Sequence, residues 1–147
     1  MVGATERTPA LVLGRRRVGK TVLLQHFAAA TDAPVVFHTG TGETAATEIA
    51  TLSRQTAAAL PDRIRDLANE PYGTWRDILD HLARAASDSR VLLILDEFPE
   101  LIGSSPALPG ILRAFLDQVH EHTQLKIIFS GSAIRTIEEM REYRAPL

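Results

Sequence analysis

Apolar positions along this chain fall into two patterns, and each predicts a different element. Short unbroken apolar runs mark strands at Ala10–Leu13, Pro34–His38, Val91–Leu95 and Lys126–Ser130. A run without alternation is what a strand covered on both faces shows, the usual condition in a parallel sheet. Between them lie the helix candidates Lys20–Ala30, Glu43–Leu60, Thr74–Ser87, Leu108–His122 and Ala133–Tyr143, two of which carry apolar residues at three- and four-residue spacing. The helix from Thr74 is the clearest: Trp75, Ile78, Leu79, Leu82 and Ala86 share one face, and Thr74 with Asp77 forms a start resembling a capping box. Trp75 is therefore expected to anchor a core. Ile111, Leu112, Phe115, Leu116 and Val119 repeat the pattern, and Pro109 suits a first turn. Pro61 to Gly73 has the composition of a loop. Strands alternating with helices predict an α/β protein, a three-layer αβα sandwich around a mainly parallel sheet.

The first strand and helix bracket the most informative motif. Gly14-Arg15-Arg16-Arg17-Val18-Gly19-Lys20-Thr21 is a complete G-x-x-x-x-G-K-[ST] phosphate loop in its required strand–loop–helix setting. Glycines permit the tight turn that points successive N–H groups at phosphate oxygens, and a helix beginning near Lys20 adds the positive end of its dipole. Residues Gly14 to Val22 are the expected nucleotide-binding segment. Lys20 is expected to reach the β- and γ-phosphates, and the Thr21 hydroxyl to ligate Mg²⁺.

The apolar run at Val91–Leu95 ends in Asp96-Glu97, placing two carboxylates at the carboxyl edge of the sheet, where open α/β folds bind ligands. Asp96 is expected to hold Mg²⁺ and Glu97 to polarise the water that attacks the γ-phosphate. An adjacent Glu favours hydrolysis over phosphoryl transfer to a small metabolite. The last strand delivers Ser130-Gly131-Ser132 to the same edge. Ser130 and Ser132 are candidates to contact the γ-phosphate or the attacking water; Ser132 also fits as the cap of the following helix, and both readings stand.

Bulk composition narrows the remaining choices. At 147 residues the chain is expected to form one domain with a real core, 45% hydrophobic and 23% charged. A formal net charge of −2 gives no overall drive toward nucleic acid, and the Arg15–Arg17 cluster fits an exposed loop beside a polyphosphate. Cysteine is absent, which excludes disulfide, thiolate-metal and cysteine-nucleophile chemistry. No apolar run reaches membrane-spanning length and no signal pattern opens the chain, so a cytoplasmic location is expected. His120 and His122 stand two apart, pointing about 200° from one another on a helix, and read as surface residues. His38 ends the second strand near the expected site, but a lone histidine there is weak grounds for a role.

With GRRRVGKT, ILDEFPEL at Ile94–Leu101 and IIFSGSAI at Ile127–Ile134 in order, the chain resembles the prokaryotic AAA+-like archaeal ATPase family, in the signalling (STAND) branch of P-loop NTPases. The resemblance implies a P-loop NTPase sandwich with sheet order 1-4-3-2, the phosphate-loop strand beside the strand ending at Ser130. It implies an ATP-binding, Mg²⁺-dependent ATPase core with Lys20 and Thr21 on ATP–Mg²⁺, Asp96 on the metal, Glu97 activating water, and Ser130 or Ser132 as sensor. A nucleotide-gated interaction switch and an accessory ATPase for DNA transactions are the alternatives. Family members open with a helix and a Val-Gly-Arg-type box, of which Met1-Val2-Gly3 is at most a remnant, and continue past a segment like Ala145-Pro146-Leu147 into a fifth strand, a lid and often a winged helix. Residues 1–147 are accordingly expected to be an incomplete core with its fifth strand missing. The first strand would then be an exposed edge open to self-association or a partner protein, with nucleotide binding weaker than in an intact relative and little turnover expected.

Overall fold

The computed structural model describes residues 10–13, 20–62, 65–119 and 122–131. In chain order these form β1 (Ala10–Leu13), α1 (Lys20–Ala30), β2 (Val35–Thr39), α2 (Ala45–Ala59), α3 (Trp75–Ala85), β3 (Val91–Asp96), α4 (Phe98–Ser104), α5 (Leu108–Val119) and β4 (Leu125–Gly131). The four strands form one parallel sheet in the order β1-β4-β3-β2. That is the order the resemblance implies. The helix expected at Ala133–Tyr143 lies outside the described residues.

Every residue of β3 and β4 is buried. The pleat sorts them onto two faces. Val91, Leu93 and Leu95 of β3, with Leu125, Ile127 and Phe129 of β4, enter a large core shared with α2, α3, α4 and α5. Leu92, Ile94 and Ile128 face the other way and meet Leu24 of α1 in a smaller cluster. An apolar run without alternation is thus the sequence image of a strand with helices on both sides.

Two of the helices, α2 and α3, open on threonine caps. Thr74 accepts a hydrogen bond from the Asp77 amide at 3.1 Å and opens α3, whose buried stripe includes Trp75, Ile78, Leu79 and Leu82. Trp75 also donates its Nε1–H to Ser105 Oγ at 2.8 Å, so the buried indole is polar-satisfied at its one donor. Thr44 caps α2 by accepting from Thr47 N, starting that helix two residues later than the apolar spacing suggests. One element is new: α4 begins directly after the Asp96-Glu97 pair, with Pro99 in its first turn, where a missing N–H leaves no bond unmade. Its Phe98 ring meets Phe129 of β4 edge-on at 4.9 Å, which docks the helix on the sheet.

The stretch expected as a loop from Pro61 to Gly73 has no helix or strand among its described residues, but it is not a free excursion. Leu67 is inserted into the main core and the Arg65 guanidinium lies 4.1 Å from the Tyr72 ring centroid. Among the described residues no helix is long and apolar enough to cross a membrane.

Candidate functional site

Because all four strands run parallel, their carboxyl ends share one edge. Register fixes who stands beside whom: Leu13 pairs with Gly131, and Thr39 pairs with Asp96. Only β4 separates β1 from β3, so the end of β1 and Asp96 are two strand spacings apart, about 10 Å. Leu13 and Lys20 are the described residues on either side of the phosphate-loop motif. The structure therefore brings the start of that connection, the Asp96-Glu97 acids and Ser130 to a common edge. Gly14, Arg15, Arg16, Arg17, Val18, Gly19 and Ser132 lie outside the described residues. Lys20 and Thr21 open α1, and Val22 in the same turn is exposed.

Asp96 ends β3 with no surface exposed. Its Oδ2 accepts from Thr39 Oγ1 at 3.4 Å, and its carbonyl accepts from the Gly40 N–H at 2.8 Å. Thr39 at the end of β2 and Gly40 just after it thus hold its side chain and its backbone. Glu97 follows with φ 52° and ψ 48°, the only left-handed non-glycine among the described residues. A non-glycine residue held there costs about 1–3 kcal/mol and persists only where its surroundings impose it. Here they do. Asp96 is locked to β2, and Phe98 and Leu101 are buried immediately afterwards, so the chain must turn from strand to helix within one residue. Ser130 of β4 is 1% exposed, and its Oγ has no hydrogen-bond partner among the described residues. A buried hydroxyl at the carboxyl edge has a proton and lone pairs with which to bond a phosphate oxygen or a water.

These donors suit a hard cation bound together with phosphate. Carboxylate and hydroxyl oxygens are the ligand types Mg²⁺ takes, and it is usually held by one or two protein carboxylates plus substrate phosphates. Among the described residues no group of three or more His, Cys, Asp and Glu side chains could by itself cage a metal.

Sequence reasoning did not foresee Thr39, Gly40 or the network behind them. His38, discounted as a lone histidine, is buried and bonded on both ring nitrogens, to Gln55 Oε1 at 2.8 Å and Glu48 Oε1 at 3.1 Å. A signal existed: Glu48, Leu52 and Gln55 fall at i, i+4 and i+7, so two polar residues share the buried stripe of α2. A concavity of about 1080 Å³ lies at the opposite, amino-terminal edge of the sheet, lined by residues including Pro34, Asp62, Arg65, Tyr72, His81 and Arg84. None of the residues expected to bind nucleotide lines it.

A family model described as an AAA domain matches residues 4–137. No curated protein sequence matches the chain. Among solved structures, the Walker-type ATPase PABY2304 of Pyrococcus abyssi is similar at a TM-score of 0.70 and 18% identity, over 96% of this chain and 45% of that one. Cdc6p from Pyrobaculum aerophilum is similar at a TM-score of 0.53 and 20% identity, over 92% of this chain and 36% of that one. The chain thus spans less than half the length of either, and at such identities the likeness is one of fold. An α/β sandwich with a 1-4-3-2 parallel sheet and acids ending its third strand, matched to the family over residues 4–137, belongs to the AAA domain family of P-loop ATPases.

Proposed function

We propose that residues 1–147 form the core of an ATPase that binds ATP with Mg²⁺ at the carboxyl edge of the sheet and hydrolyses the β–γ phosphoanhydride. The observation that carries this reading is the pairing of a fully buried Asp96 with a left-handed Glu97 at the end of β3, in a chain of the AAA domain family. The motif order supports its finer placement in the signalling branch, and a cytoplasmic location goes with that placement.

In this reading the amides of Gly14 to Thr21 and the Lys20 ammonium bind the phosphates. Thr21 and Asp96 would hold Mg²⁺. Bound there, the ion would supply charge neutralisation across the phosphate oxygens. Glu97 accepts the proton of the attacking water as its oxygen bonds to the γ-phosphorus and the bond to the bridging oxygen breaks, leaving ADP and phosphate. The left-handed backbone at Glu97 lets it follow Asp96 directly, so that adjacent acids take separate tasks. Ser130, with Ser132 two residues on, senses the γ-phosphate by donating a hydroxyl hydrogen bond to it.

Two substitutions test the assignment. Glu97→Gln keeps the size of the side chain but removes the base, so turnover falls by at least about 10²-fold while ATP binding persists. Lys20→Ala loses a charge-assisted contact of about 1.5–3 kcal/mol and so weakens binding itself. Titration with a fluorescent ATP analogue and a phosphate-release assay read both. Unchanged hydrolysis in Glu97→Gln would refute the role given to that residue.

A further inference from the structure

The loop that grips Asp96 is itself held from behind. After β2, the backbone N–H groups of Thr41 and Gly42 both donate to Glu48 Oε2, at 2.9 and 3.1 Å. The other oxygen of the same carboxylate meets His38 Nε2, and His38 Nδ1 meets the Gln55 amide. Glu48 and His38 are each 1% exposed. A buried carboxylate that accepts two backbone amides and an imidazole ties the loop between β2 and α2 to the first turn of α2 through charge-assisted hydrogen bonds.

What the loop touches is the acid pair. Gly40 donates to the Asp96 carbonyl and packs so closely that a β-carbon there would stand 2.7 Å from the Glu97 carbonyl oxygen. Gly42, at φ 79°, lies against the Glu100 carboxylate in the first turn of α4. Thr39 Oγ1 reaches Asp96 Oδ2. A continuous set of contacts therefore runs from the first turn of α2, through the loop, to both peptides of the Asp96-Glu97 turn.

We propose that Glu48, braced by His38 and Gln55, is a positioning residue for hydrolysis: it clamps the Thr39–Gly42 segment against the Asp96-Glu97 turn and so sets where the two carboxylates point. The proposal rests on the ATPase reading. Glu48 touches neither nucleotide nor water in it. Its loss is felt far more in the hydrolytic step than in ATP affinity, because the phosphate-binding amides belong to a different connection.

The test uses the full chain and compares wild type, Glu48→Gln, His38→Leu and His38→Gln. Readouts are kcat for ATP, Kd for a fluorescent ATP analogue, and hydrogen exchange at the Thr41 and Gly42 amides without nucleotide. Glu48→Gln is expected to speed exchange at both amides and lower kcat at least tenfold, with Kd within about twofold of wild type. His38→Leu is expected to lower kcat severalfold. His38→Gln, which restores an N–H donor near the position of Nε2, recovers most of that loss. Should Glu48→Gln fail to fold, the two His38 variants decide by themselves. Faster amide exchange with unchanged kcat overturns the proposal, as does equal loss of kcat in both His38 variants. A wild-type chain that neither binds nor hydrolyses ATP overturns the ATPase reading and this proposal together, whereas wild-type turnover retained in every variant overturns this proposal alone.

Discussion

Single side chains in this protein are tied down by partners distant in sequence, and His81 shows what that does to a titrating group. Burial in α3 pushes its pKa below the ordinary value of 6.5, outweighing the opposing pull of Asp62, and Arg84 and Arg65 add smaller downward pushes. The tautomer with its proton on Nε2, 4.0 Å from Asp62, leaves Nδ1 to accept from the Tyr72 hydroxyl at 3.0 Å. Because the folded pKa lies below the unfolded one, the unfolded chain binds more protons in the interval between them. Stability is therefore complete above about pH 6.5 and declines as pH falls through that window. In urea melts between pH 5 and 7.5, His81→Asn, which keeps a polar partner for Tyr72, should flatten this dependence relative to wild type. An unaltered slope would mean that His81 does not titrate on unfolding. Glu97 illustrates the same principle at the candidate site: its backbone conformation is imposed by neighbours and not by its own preference.

At the scale of elements, the strand–turn–helix unit β3–α4 is the centre of the site, and Gly40 is the residue that lets β2 approach it. A methyl group at that position would meet the Glu97 carbonyl oxygen at 2.7 Å, Leu101 Cγ at 3.0 Å and Glu100 Cβ at 3.1 Å. The first contact sets the new β-carbon against a backbone carbonyl oxygen in the middle of a strained turn, so little can give way. Gly40→Ala is expected to cost about 1–3 kcal/mol, in the range of other overpacking substitutions, and to lower the denaturant midpoint accordingly. Gly103→Ala, where a β-carbon meets nothing within 4 Å, is the matched control and should be close to neutral or stabilising. Equal effects at the two positions would show that the β2 loop is not pressed against the acids.

For the whole molecule, one side of the sheet carries a thick layer built from four helices, while α1 is the described cover on the other. Val22, Leu23 and Phe27 leave α1 with an exposed apolar face. Since α1 begins at the Lys20 and Thr21 of the phosphate-loop motif, bound ATP would stabilise the thinner layer directly. A ligand at a hundred times its Kd adds about 2.7 kcal/mol to folding stability. For a chain of this size that corresponds to a rise in Tm of roughly 5–10 °C. Differential scanning fluorimetry with ATP and Mg²⁺ should show this rise in wild type and lose most of it in Lys20→Ala. No shift in wild type at saturating ATP would count against a nucleotide site at this edge.

How much of this was legible beforehand follows from the range of the forces involved. The four strands, the helices α2, α3 and α5, and the acids at the end of β3 are readable from local pattern, an unbroken apolar run, a stripe at helical spacing or a threonine cap, whereas α1 is readable from the phosphate-loop motif it follows. The strand order came from resemblance, since periodicity says that a strand is buried but not beside which neighbour. Short α4 escaped because seven residues are too few for a periodic stripe to stand out, and its start depends on a left-handed Glu97 that intrinsic preference disfavours. His38, Glu48 and Gln55 form a site component only once β2 and α2 pack together, and Thr39 meets Asp96 across 57 positions of chain. Sequence alone determined which segments must be buried and which residue types could do phosphate chemistry, because burial and backbone preference act over a few residues. Which polar groups meet inside the fold was decided by tertiary packing, because buried charges and hydroxyls find partners only after distant segments have been brought together.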